Sequence, residues 1–201
     1  MTPSKPSKQT YHHGNLQSAL IREGLRILEA RNADGLGLRE LARAVGVSAS
    51  SVYRHFRSKD ALLQALAAEG LRRLAEAQRE ASILAGGGNL GFAATGSAYV
   101  AFALDNPALF RLIFSSSAMT GTAEFEPKSD DASALLMQFA ASIVGESNPE
   151  AAQVVAMQAW ALVHGLAVLI LDQRLPNDPP LIAKVIRQYV ARLRPRPNNV
   201  C

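Results

Sequence analysis

The stretch LRELARAVGVSASSVYRHFRSKDALL, residues 38–63, decides the fold. Leu38, Leu41, Ala42 and Val45 recur at helical spacing and form one apolar face, with Arg39, Glu40 and Arg43 turned outward. Gly46 stops that helix where a left-handed residue costs least, and Val47 plugs the corner. Ser48 is a natural N-cap for a second helix, whose Val52 and Phe56 point inward. A third, longer helix starts near Lys59. Two short helices joined by a tight turn form the helix-turn-helix layout that enters a DNA major groove.

The outer residues of the second helix suit that partner. Ala49 and Ser50 are small and let the backbone approach the groove. Ser51 and Arg54 can reach base edges or phosphates, while Tyr53 and His55 can donate to phosphate oxygens. Arg39 adds a cation from the helix before, and Lys59 sits at a helix start that favours an anion. An ordinary helix pair with a Gly-Val turn meets part of this pattern. Here the turn, the cap, the inward pair and the cationic outer face all agree.

Charge supports the same partition. Residues 1–60 hold ten Lys or Arg against five Asp or Glu, whereas residues 61–201 hold eleven against twelve. The basic excess belongs with a phosphate-binding segment. Residues 1–14 read as a flexible basic arm, and His12 and His13 at its end are candidates for DNA contact. Residues 15–60 read as the DNA-binding domain, and residues 61–201 as a larger helical domain.

The run GVSASSVYRHFRSKDALL (46–63) resembles the signature of the tetracycline-repressor (TetR) family of bacterial regulators. YHHGNLQSAL (11–20) is similar to the opening of one TetR subgroup, and NPALFRLIF (106–114) extends the likeness. WALVHGLAVLILDQRL (160–175) resembles the C-terminal domain named for a Trp…His-Gly pattern, here Trp160, His164 and Gly165. Gly37 departs from the pattern, since the family often has Ser or Thr capping the helix there. Ala49 and Ser50 offer few hydrogen bonds, which leaves the operator sequence open.

The remaining helices announce themselves by caps and apolar faces. Leu16, Leu20, Gly24, Ile27 and Leu28 mark a helix over about 15–32. A long helix runs from Lys59 to about Leu84 and ends in Gly86-Gly87-Gly88, a potential hinge. Asn106-Pro107, Asn148-Pro149 and Asp178-Pro179 each place a capping side chain before a proline, which predicts helices from 107, 149 and 179. Others are expected over about 89–105 and 131–146, with a polar loop at 115–131. The fold class is therefore all-α, with about nine helices.

Ala151–Leu171 carries no charge over 21 residues, long enough to span a bilayer. Gln153, Gln158 and His164 interrupt it, and a helix apolar all round also suits the core of a helical oligomer. A membrane protein using 151–171 is the remote alternative, and a DNA-binding protein without an effector is another. The last two helices form the candidate dimer interface, through Trp160, Leu169, Leu181, Ile182, Val185, Ile186, Tyr189 and Val190. Two recognition helices about one DNA turn apart would read a palindrome.

The resemblance implies a small-molecule pocket in the C-terminal helices. Phe92, Tyr99, Phe102, Phe110, Phe114, Met137, Trp160 and His164 are its candidates. The same side chains fill any helical core. Gly165 is expected to permit close helix packing. No nucleophile elbow, phosphate-binding loop or dinucleotide fingerprint occurs, so no enzyme activity and no cofactor or metal is expected. Met1–Gln9 lacks an apolar run, and the lone Cys201 suits a reducing compartment, so a cytoplasmic location is expected.

Overall fold

The computed structural model describes residues 13–31, 33–115, 132–144 and 148–193. Among them are nine α-helices and no strand. They are α1 (His13–Arg31), α2 (Leu38–Val45), α3 (Ala49–His55), α4 (Lys59–Leu84), α5 (Gly88–Asp105), α6 (Pro107–Ile113), α7 (Ala132–Val144), α8 (Pro149–Leu171) and α9 (Pro179–Arg192). A short 3-10 turn at Ala33–Gly35 links α1 to α2. The helix α1 begins at His13, inside the stretch expected to be an arm. His12, the 116–131 stretch of the expected loop and Cys201 lie outside the described residues.

The chain divides into two compact units, with the boundary between Leu66 and Ala67. In the first, α1, α2, α3 and the start of α4 enclose Leu20, Leu28, Leu36, Leu41, Val52, Leu62 and Leu66, all fully buried. The turn after α2 is built as its residues require. Gly46 has φ 76° and sits in the left-handed region. Its N–H reaches the Arg43 carbonyl at 3.2 Å, and the Val47 N–H reaches Ala42 at 3.0 Å. These bonds satisfy carbonyls that the helix end would otherwise leave open.

In the second unit, α5 packs against α7, α8 and α9, and α8 also packs against α7 and α9. One close approach is at Gly96 of α5. A Cβ there would lie 3.0 Å from the Ile186 side chain and 3.2 Å from Val163. Small residues elsewhere serve the same end: Ala103, Ala140, Ala156 and Ala167 have no exposed surface. Phe92 stacks on Phe139 with centroids 5.5 Å apart. Met137 packs against Ala140, Ala152, Val155 and Ala156.

Two of the three expected proline-preceding caps form. Asn148 Oδ1 accepts from the Ala151 N–H at 3.0 Å, and Asp178 Oδ1 from the Leu181 N–H at 3.1 Å. Asn106 does not cap α6. Its Nδ2 donates backward to the Phe102 carbonyl at 3.0 Å, because a single residue separates α5 from α6 and the α5 end takes the amide.

The expected dimer stripe on α9 needs correction. Ile182, Ile186 and Val190 are buried within the chain, so they belong to its own core. Val185 and Tyr189 are half-buried, and the Tyr189 hydroxyl donates to the Val155 carbonyl at 3.3 Å. On the last two helices, the apolar surface that stays open is mainly on α8. Val154, Met157 and Leu169 are 50, 60 and 43% exposed, and Leu181 of α9 is 48% exposed. Ala161 is exposed on the same face, and a Cβ on Gly165 would meet no atom of the described residues within 4 Å. The close packing expected of Gly165 is therefore not made among the described residues. The helix α8 is the one described helix long and apolar enough to cross a membrane, and a third of its most apolar window is buried.

A Cβ on Gly46 would also meet open space, so Gly46→Ala isolates the backbone term. It should cost about 1–2 kcal/mol in urea unfolding, the penalty of a left-handed non-glycine residue. An unchanged midpoint would contradict the turn geometry.

Candidate nucleic-acid interface and effector site

The first site is the outer face of α3. Ser48 is the N-cap, with extended backbone, and its Oγ accepts from the Ser51 N–H at 3.2 Å. The same Oγ lies 2.9 Å from Ser50 Oγ and 2.8 Å from Ser51 Oγ. Arg54 Nη2 donates to Ser51 Oγ at 3.3 Å. One cap thus ties three hydroxyls and a guanidinium into one polar edge. Burial of Val52 and Phe56, at 0 and 3% exposure, fixes the rotation of the helix that presents it. Ser48, Ser50, Tyr53 and Arg54 are exposed, and Ala49, Ser51 and His55 are half-buried.

The neighbouring elements supply further polar groups. Arg39 of α2 is exposed. Gly37 precedes α2 with extended backbone and offers no side-chain cap, as its identity requires. The α4 start is capped by Ser58, whose Oγ accepts from the Ala61 N–H at 3.1 Å, next to Lys59. His13 starts α1.

The second site lies in the C-terminal unit, where α5, α6 and α8 bring five rings together. The ring of Phe110 lies 5.7 Å from Tyr99 and 5.0 Å from Phe114. His164 lies 4.8 Å from Phe114, 5.5 Å from Phe110 and 5.8 Å from Trp160. Two hydrogen bonds thread the cluster. Trp160 Nε1 donates to the Tyr99 hydroxyl at 3.3 Å, and that hydroxyl lies 2.9 Å from His164 Nδ1. Burial pushes the Tyr99 phenol well up, against the Trp160 hydrogen bond, and burial also pulls the His164 imidazole down. An open depression of about 280 Å³ is lined by Phe110, Arg111, Phe114, His164, Val168 and Leu171.

Comparison with known proteins identifies the family. Residues 20–66 match the model described as bacterial regulatory proteins of the tetR family, and residues 92–193 match the tetracyclin repressor-like C-terminal domain. The chain belongs to the TetR family. It is an all-α transcriptional regulator with an N-terminal DNA-binding helix-turn-helix. A solved protein of unknown function from Rhodococcus sp. RHA1 is 31% identical, with TM-score 0.67, covering 92% of this chain and 97% of that one. TetR from Acinetobacter baumannii AYE shares the fold at 19% identity and TM-score 0.58, over 92% and 99% of the two chains. A variant of that TetR in complex with minocycline gives 17% identity and TM-score 0.58, over 93% and 100%. No curated protein matches the sequence.

Against this TetR-family frame, the candidate pocket residues divide. Tyr99, Phe110, Phe114, Trp160 and His164 come together. Phe92, Phe102 and Met137 do not line the depression, because they fill the packing between helices. Arg111, Val168 and Leu171 were not anticipated. Arg111 could have been found from NPALFRLIF, one residue after Phe110, but its partner Asp172 lies 61 residues away. Their exposed ion pair measures 2.7 Å.

The lowered His164 basicity sets a sign. Its folded value lies below the ordinary imidazole value of about 6.5, so below that pH the unfolded chain takes up a proton that the folded chain resists. The contribution is fully present above about pH 6.5 and declines as pH falls toward the folded value. Urea unfolding at pH 7.5 and 5.5 should show a larger acid loss in the native chain than in His164→Gln. A His164 NMR titration midpoint above 6.5 would contradict this.

Proposed function

We propose that this regulator is a cytoplasmic, ligand-responsive repressor that binds a palindromic operator as a homodimer. The observation that carries the reading is the α3 edge, where a capped serine cluster and Arg54 stand outward over a fully buried Val52. Residues 15–60 serve as the DNA-binding domain, and residues 61–201 as the effector and dimerisation domain.

Arg54, Ser51 and Arg39 carry direct base readout in this account. Ser48, Tyr53, His55, Lys59 and the two histidines at 12 and 13 contact phosphates, and Ala49 and Ser50 allow close approach to the groove. One such helix reads few base pairs, so the affinity of a specific site calls for a pair. The open apolar face of α8, Val154, Met157, Ala161 and Leu169, with Leu181 of α9, supplies a surface for that pairing. Gly165 lies where a partner helix could come close. The ring cluster around His164 is the effector site. An effector that binds one arrangement of the heads better than another shifts the population away from the operator-binding form.

Two variants test the reading together. Tyr53→Phe with Arg54→Ala should weaken binding to a footprinted operator about tenfold or more while the chain still sediments as a dimer. Met157→Asp should yield a monomer at micromolar concentration and lose operator binding with it. Unchanged operator affinity in the first variant, or a native chain that is monomeric, would overturn the assignment.

A further inference from the structure

The hydrogen atoms in the ring cluster can be placed by elimination. An indole N–H only donates, so Trp160 Nε1 gives its proton to the Tyr99 oxygen. Tyr99 is 3% exposed, and its other polar partner among the described residues is His164 Nδ1. If Nδ1 carried a proton, Tyr99 would accept twice, and its own O–H would be buried without an acceptor. An orphaned group of that kind is strongly disfavoured, because its desolvation is left uncompensated. The arrangement that satisfies all three groups has Tyr99 donating to Nδ1. His164 is then neutral, with its proton on Nε2. Burial acts in the same direction by disfavouring the imidazolium.

Nδ1 faces Tyr99, so Nε2 is the edge of the ring left for the depression that His164 lines. The rest of the lining is apolar, apart from Arg111. The carboxylate of Asp172 pairs with Arg111 at 2.7 Å. Among the described residues, the lining therefore presents donors and no carboxylate. Aromatic walls alone would also suit a cation, but a cation here would meet Arg111 and an N–H. The volume of about 280 Å³ sits at the small end of ligand sites, which start at roughly 300 Å³.

We propose that this depression takes a flat apolar molecule of one or two rings bearing a carbonyl-type acceptor, held by the Nε2–H of His164 beside Arg111. The proposal rests on the effector reading above and narrows it to a ligand chemistry. Tyr99 and Trp160 are positioning residues, because they fix which nitrogen of His164 carries the proton.

Three probes of similar shape separate the chemistries: 2-acetylnaphthalene, naphthalene and (2-naphthylmethyl)trimethylammonium. Equilibrium dialysis against the full chain, without DNA, should show the ketone bound about tenfold more tightly than naphthalene. In His164→Phe that ratio should fall toward one. If His164→Phe fails to fold, Tyr99→Phe with His164→Phe removes the stranded hydroxyl and should show the same loss. Preference for the ammonium probe, a ketone preference that survives in either variant, or no binding of any probe would overturn the proposal. Because DNA is absent, a failure here leaves operator binding intact as a result. A failure of operator binding likewise leaves the dialysis result standing.

Discussion

The helix α8 has no charge from Ala151 to Leu171, so every side of it needs cover, and that requirement organises the C-terminal unit. One side closes the core through Ala156, Val163 and Ala167, where Gly96 of α5 lets Val163 and Ile186 approach. A second carries Trp160 and His164 into the ring cluster with Tyr99, Phe110 and Phe114. The third, with Val154, Met157 and Leu169, is uncovered among the described residues. At about 25 cal/mol per Å² of buried apolar surface, closing that third side against a second copy is a sizeable driving force. Core, effector site and dimer face in the proposed function are thus three sides of one helix.

The N-terminal unit solves a different problem with fewer residues. A recognition helix of seven residues is too short to be stable alone, so its geometry must come from its anchors. Val52 and Phe56 hold it from within, Gly46 sets the turn, and Ser48 ends it cleanly. The polar edge is left with few side chains. Ser50 and Ser51 both bond Ser48, and Arg54 bonds Ser51, so in the proposed function DNA competes with or builds on that network. An operator preference would then arise from a small set of contacts on each half-site, doubled by symmetry.

The helix-turn-helix was legible because each of its parts is local. A cap, a left-handed glycine and a pair four residues apart are all visible within a dozen residues. Caps at Asn148 and Asp178 were legible for the same reason, whereas Asn106 was not, because two helix ends compete for one amide. The faces of α8 and α9 were beyond local reading. A helix apolar on nearly every side has no periodic signal to tell core from open surface. Ile182, Ile186 and Val190 looked like a dimer stripe, but they are taken up by the chain's own core. The pocket split likewise: aromatic content does not distinguish Phe92, stacked on Phe139, from Phe114, which lines the depression.

The central claim is that two copies of the α3 edge read DNA together. Sequencing the DNA fragments that the full chain selects from a random pool tests it most directly. The account predicts an enriched inverted repeat whose half-site centres lie about one helical turn, or a multiple of it, apart. Enrichment of a single unpaired half-site, or no enrichment at all, would contradict it.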